Sequence, residues 1–218
     1  MKTLFIPAKY NKKIVLEEKH IKQLPERICL VSSVQFVDSL KNIKKTLEKN
    51  NKKVTLIKGK HSSFEGQILG CDIPEVENID AFLFIGDGLF HPIGIQLKND
   101  LDIFCYNPLT KDFFKLNKEE TERIKKRRKV NLTKFYHSEN IGVLISTKPG
   151  QYNYMKAKEL EKKFPEKKFY YLIFDSLDFN ELENFPFIDC YVNTACPRLA
   201  LDDLNKTNKP IINLENVE

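Results

Sequence analysis

Residues 81–85, AFLFI, are apolar at every position and stop at Gly86-Asp87-Gly88. Five residues are too few for a self-sufficient helix, and a run apolar on both sides of the pleat suits a strand covered on both faces, as in a parallel sheet. Parallel neighbours need long crossovers, usually helical, so this run commits the chain to alternating strands and helices. The first half obliges. Residues 28–34 (ICLVSSV) read as a strand; Phe36, Leu40, Ile43 and Leu47 then recur at helical spacing. Residues 54–57 are a second strand, residues 102–106 a fourth, and residues 117–134 a long charged helix with Asn117 as its cap.

The pattern then restarts. Residues 141–146 (IGVLIS) predict a strand, 147–151 a turn, 155–164 a helix, 169–174 a strand, 177–182 a short helix, 188–192 a strand and 211–212 a last one. ICLVSSVQ parallels IGVLISTKPGQ, and FLFIGDG parallels CYVNTACP, as two copies of one α/β unit would. The expected fold is therefore α/β: two similar small domains, each a parallel sheet of about four strands flanked by helices. Residues 1–135 form the first and 136–218 the second, with the junction near 134–139.

Apolar residues make up 41% of the 218 positions and charged ones 30%, which fits a folded core and argues against global disorder. No apolar run approaches the ~20 residues of a membrane span, and MKTLFIPAKYNKK lacks the apolar core of a secretory signal, so a cytoplasmic location is expected. The five cysteines are scattered and contain no CxxC pair, against a disulfide framework or a zinc ribbon. Any metal ligands must converge from distant segments. The net charge of +6 is spread out except at residues 123–129, RIKKRRK. That patch reads as a solvated helix face, with an RNA or RNA-associated partner as the alternative.

Three loops follow apolar strands and carry more chemistry than a plain turn requires. GDGLFHP offers Asp87 and His91 for proton exchange, although Asp-Gly is also ordinary turn chemistry. STKPGQ combines the cation of Lys148, amides exposed at Gly150 and the two-way hydrogen bonding of Gln151; its plain reading is a strand-to-helix turn. In TACPR, Cys196 sits just past a strand end, where open α/β sheets bind ligands. Pro197 fits a first helical turn, Arg198 supplies a fork suited to a carboxylate, and Asp202 and Asp203 follow. A cysteine so placed is also commonly just a small buried residue. A long polar loop, HSSFEGQILGCDIP, carries Gly66, Gln67, Gly70 and Cys71.

Taken in order, GQILGCD, IDAFLFIGDGLFHPIGI, GVLISTKPGQ and IDCYVNTACPRLALDD, with VSSVQF at the first strand, closely resemble the archaeal diphthamide synthase family. The resemblance implies 3-amino-3-carboxypropyl transfer from S-adenosylmethionine to a histidine of translation elongation factor 2, the first step of diphthamide biosynthesis. It implies a 4Fe-4S cluster held by three cysteines, one from each of three similar α/β domains. The iron lacking a protein ligand binds S-adenosylmethionine and reductively cleaves a C–S bond, giving an aminocarboxypropyl radical. On this pattern Cys71 and Cys196 are metal ligands. Lys148, Gly150, Gln151, Arg198 and Asp202 bind the sulfonium substrate, with Arg198 and Gln151 on its carboxylate. Asp87, Asp202 and His91 serve its amine or place the target imidazole.

Family members carry a further domain ahead of the part that resembles residues 1–30, and in it a third cysteine within a Gly-Ala-Cys-like motif. Cys29, Cys105 and Cys190 fall inside strand runs and read as core. A separate polypeptide supplying the third ligand, a truncated chain and a degenerate relative all account for this. The split enzyme is the expectation, because such a break falls at a domain boundary. A homo- or hetero-oligomer follows, with neither membrane nor direct nucleic-acid contact. The competing reading is a non-catalytic partner subunit of a synthase complex; a generic nucleotide- or flavin-binding protein rests on fold analogy alone.

Overall fold

β1 (Arg27–Ser32) and β3 (Ala81–Ile85) run side by side and parallel, Ile28 opposite Ala81 and Ser32 opposite Ile85. The structure is a computed structural model that describes all residues except 1–3, 5, 71, 203–206 and 218, with the backbone alone at 201 and 202. Cys71 and Asp203 therefore lie outside the described residues, as does the side chain of Asp202. Two compact units divide between Thr121 and Glu122, ahead of the junction that the sequence suggests.

In the first unit β2 (Lys53–Thr55), β1, β3, β4 (Asp102–Tyr106) and β5 (Phe113–Lys115) form one sheet in the order β2-β1-β3-β4-β5. Every pairing is parallel except β4 with β5. The antiparallel β5 is an addition to the expected sheet. It is three residues long, and its Lys115 pairs with Asp102 at 2.7 Å. Side chains alternate across the pleat, so Leu30 and Leu83 join Phe36, Leu40 and Leu47 on one face. Val31, Phe82 and Phe84 meet Ile95 and Ile103 on the other. Each such side chain contributes about 1.5–3 kcal/mol by leaving water.

After a 3₁₀ turn (Val34–Ser39), α2 (Leu40–Lys49) follows β1 and buries Leu40, Ile43 and Leu47. α1 (Glu18–Ile21) precedes β1. The Phe90-His91-Pro92 segment, read from sequence as part of a loop, is instead the first turn of α3 (Phe90–Asn99). Proline is tolerated so early because no intrahelical N–H is needed there.

The second unit has the order β7-β6-β8-β9, wholly parallel: β7 (Lys168–Phe174), β6 (Asn140–Ser146), β8 (Cys190–Asn193) and β9 (Ile211–Asn213). α4 (Glu119–His137) starts in the first unit and belongs with the second from Glu122, where Phe135 is fully buried against Ile141, Leu160 and Val217. Glu119 N–H donates to Asn117 Oδ1 at 3.0 Å, the capping role expected of that asparagine. α5 (Tyr154–Lys163) crosses from β6 to β7, and α6 (Leu199–Asp202) follows β8. The two-fold α/β repeat implied by the sequence is present. Among the described residues no helix is long and apolar enough to cross a membrane.

The repeat extends to single hydrogen bonds. Asp80, just ahead of β3, accepts from the backbone N–H of Arg27 at 3.0 Å and returns its own N–H to the Arg27 carbonyl at 2.8 Å. Asp189, just ahead of β8, does the same with Asn140, at 2.8 and 2.9 Å.

Candidate functional site at the carboxyl ends of the second sheet

The chain leaves β6 for β7 on one side and returns to β8 on the other, so the crossovers diverge between β6 and β8. The strand carboxyl ends at such a divergence are the usual ligand position in this architecture. The loops after β6 and β8 are those carrying Lys148, Gly150 and Gln151, and Cys196 and Arg198.

Cys196 is half-buried, and its loop is held by amides rather than by apolar packing. Asn193 and Asn213 end β8 and β9 as direct ladder partners and are 2% and 3% exposed. Asn193 Nδ2 donates to Asn213 Oδ1 at 2.7 Å and to the Cys196 carbonyl at 2.9 Å, while its Oδ1 accepts from Ala195 N–H at 3.1 Å. Asn213 Nδ2 donates to the Pro197 carbonyl at 2.8 Å. From the start of α5, Asn153 Nδ2 reaches the Thr194 carbonyl at 2.7 Å. Thr194 Oγ1 donates to the Leu144 carbonyl at 2.9 Å. Stripping one partner from such a buried group costs about 1–3 kcal/mol. Sequence reasoning missed the asparagines; their signal is a polar residue closing each of two apolar runs, CYVN and IIN.

Lys148 and Gln151 come together on a cavity of ≈ 690 Å³ that also takes in Ser146, Asp175, Asp178 and Leu199. The size suits an organic ligand, and the lining holds one cation, Lys148, with two carboxylates, Asp175 and Asp178. Gly150 adopts φ +78°, a left-handed turn that carries the chain from β6 toward α5. Asp175 and Asp178 were not anticipated; they follow β7, whose end carries no recognisable motif. Arg198 is 5% exposed and does not line this cavity. Its charge falls on Arg128 of α4, whose guanidinium is depressed mainly by burial and further by Arg198, with Glu215 opposing.

In the first unit Asp87 and His91 follow the carboxyl end of β3. Asp87 Oδ1 accepts from Gly88 N–H at 2.8 Å and from Asn107 Nδ2 at 2.7 Å. His91 is half-buried against the Phe84 ring, centroids 5.6 Å apart. Counted from the paired aspartates Asp80 and Asp189, Asp87 is the counterpart of Cys196. The residues flanking Cys71 are firmly tied. Asp72 accepts from the backbone N–H groups of Lys60 and His61 at 3.1 and 2.6 Å, and a Cβ at Gly59 would collide with its carboxylate. Gln67 Oε1 accepts from Ser63 and Phe64 N–H at 2.9 and 3.0 Å.

Cys29, Cys105 and Cys190 lie in β1, β4 and β8, fully or almost fully buried. Burial pushes each thiol up to about 12, away from the thiolate a metal needs. Cys196 is the described cysteine that is neither in a strand nor sealed in a core. Among the described residues no group of three or more His, Cys, Asp or Glu side chains forms a metal site. Cys196 alone among the described cysteines has the exposure that a metal-ligating thiol needs.

Comparison with known proteins agrees with this architecture. The family model described as "Putative diphthamide synthesis protein" matches residues 1–218. The chain is 31% identical to the 2-(3-amino-3-carboxypropyl)histidine synthase of Pyrococcus horikoshii, over 99% of the chain and 64% of that protein. It is 34% identical to the synthase of Methanocaldococcus jannaschii, over 97% of the chain and 59% of that protein. Similarity reaches synthase subunit 1 of Caenorhabditis elegans, at 29% identity over 86% of the chain and 48% of that protein. The crystal structure of Dph2 from Pyrococcus horikoshii with 4Fe-4S cluster superposes with a TM-score of 0.80 at 30% identity, over 92% of this chain and 59% of that one. The chain thus spans less than two thirds of the length of these relatives.

Proposed function

Because the chain belongs to the diphthamide synthesis protein family, we propose that it takes part in 3-amino-3-carboxypropyl transfer from S-adenosylmethionine to a histidine of translation elongation factor 2. The observation that carries the reading is Cys196: a half-buried thiol on an amide-held loop just past the carboxyl end of β8, in a chain whose other described cysteines are sealed in strands. In this reading Cys196, and by the family pattern Cys71, are cluster ligands, and a third comes from outside these 218 residues. These thiolates would hold a 4Fe-4S cluster, which when bound would supply the electron for reductive cleavage of the sulfonium C–S bond.

The chain's own residues bind and orient. Lys148 pairs with the substrate carboxylate, and Gln151, beyond the left-handed turn at Gly150, offers both a donor and an acceptor. By the family pattern Arg198 and Asp202 also serve the substrate. In the first unit, Asp87 and His91 are by the family pattern the groups that exchange protons. Elongation factor 2 as target places the reaction in the cytoplasm, and the third thiolate implies assembly with a second polypeptide segment or a second subunit.

The test is anaerobic reconstitution with iron and sulfide, reduction, and incubation with S-adenosylmethionine and elongation factor 2 alongside the segment carrying the third cysteine. Mass spectrometry reads the histidine adduct. Cys196→Ala is expected to abolish it; an adduct at the wild-type level would make this chain a non-catalytic partner.

A further inference from the structure

We propose that Asn193 and Asn213 are positioning residues for Cys196: a buried pair of amides that fixes its thiol for metal ligation. The proposal rests on the reading that Cys196 holds iron. Three consecutive residues, Ala195, Cys196 and Pro197, each have a backbone group tied to this pair, through the N–H of the first and the carbonyls of the other two. The amides also bond to each other at 2.7 Å, so neither swings without the other. No other side-chain type of that size and shape both donates and accepts at one position: leucine does neither, and an ionised aspartate only accepts.

The first unit shows that the fold does not need them. At the matching ladder position, Phe84 lies opposite Cys105 and both pack in an apolar core. The corresponding loop there presents Asp87 and no thiol. Buried amides disfavour folding unless they are satisfied, so replacing an apolar pair by two asparagines brings something other than stability. What distinguishes the second unit at this point is a thiol. From α6, Leu199 N–H also reaches the Cys196 carbonyl, at 3.0 Å, so among the described residues this helix ties the loop at one point where the amides tie it at three. A metal-bound thiolate tolerates little displacement, and groups behind the ligand commonly set its direction.

The experiment compares the full reduced chain with Asn213→Leu and Asn131→Ala. Asn131 is the control. It is also buried and also donates to a backbone carbonyl of β9, that of Ile211 at 3.0 Å, without touching the Cys196 loop. Under native conditions, iodoacetamide labelling of the Cys196 peptide is expected to accelerate roughly fivefold in Asn213→Leu, the change one net hydrogen bond controls, and to stay at the wild-type rate in Asn131→Ala. After anaerobic exposure to iron and sulfide, Asn213→Leu retains less iron per chain and Asn131→Ala as much as wild type. Should Asn213→Leu fail to give a cooperative unfolding transition, Asn213→Ser is measured in its place. Unchanged labelling, an equal rise in the control, or faster labelling with full iron retention overturns the proposal. Equal iron in wild type and Cys196→Ala sinks the cluster reading instead, and the labelling rates still show whether the amides hold the loop.

Discussion

Asp80 and Asp189 occupy the same place in the two units: each precedes a central strand, accepts from the first backbone N–H of the neighbouring strand, and returns its own N–H to that residue's carbonyl. A one-residue slip would break both bonds and turn every side chain of the strand to the wrong face.

In the first unit the staple is charge-assisted. The Arg27 guanidinium hydrogen-bonds Asp80 and holds its carboxyl below the ordinary 3.8. A depressed carboxylate contributes stability that is present above 3.8 and lost as pH falls through the lower folded value. Asp80→Asn should therefore lower the urea midpoint at neutral pH and flatten its decline below 3.8. A wild-type midpoint without acid dependence of this origin, matched by the variant at every pH, would contradict the assignment.

Thiol chemistry should sort the cysteines. At neutral pH Cys196 is expected to react with iodoacetamide while Cys29, Cys105 and Cys190 stay unlabelled until the chain unfolds. Their thiols are raised to about 12 from an ordinary 9.0, so the buried protonated form contributes stability that is complete below 9.0 and declines as pH climbs above it. Peptide mass spectrometry across an alkaline series reads both effects.

Lys148→Ala and Gln151→Ala should each weaken S-adenosylmethionine binding by roughly tenfold, the loss of about one charged hydrogen bond. Both side chains line the cavity from a solvent-facing turn, so the thermal midpoint should hardly move. Calorimetric titration of the anaerobic protein measures the first and a melting curve the second. Binding unchanged in both variants would move the substrate elsewhere.

Gly142→Ala is expected to destabilise the second unit by about 1–3 kcal/mol, as overpacking does. The new methyl would enter the ring of Tyr191, which cannot retreat because its hydroxyl donates to the Leu182 carbonyl at 2.9 Å. Denaturant unfolding gives the value, and Tyr191→Leu in the same background should recover part of it.

Local pattern shows β3 and β6 plainly, because five or more successive apolar residues have few alternatives. β5 is invisible to that reasoning: Phe113–Lys115 is a strand only because β4 offers it an edge. His91 looked like a loop residue because glycines precede it and proline follows, whereas α3 accommodates that proline in its opening turn. The motifs around Lys148, Gln151 and Cys196 stand at strand ends that periodicity already marks. Asn193 and Asn213 do not stand out, since their meaning lies in a ladder pairing between segments remote in sequence.

Each central strand is anchored at its starting edge by an aspartate, and the reactive loops leave from the opposite rim. Structural upkeep and chemistry therefore sit at separate addresses on the same ribbon, which lets one copy end in aromatic grease at Phe84 and the other in paired amides at Asn193 without disturbing alignment. A duplicated fold built this way can specialise its far rim residue by residue, and exchanging the GDGL and ACPR turns between the two copies should leave both sheets intact while moving the half-buried thiol from one to the other.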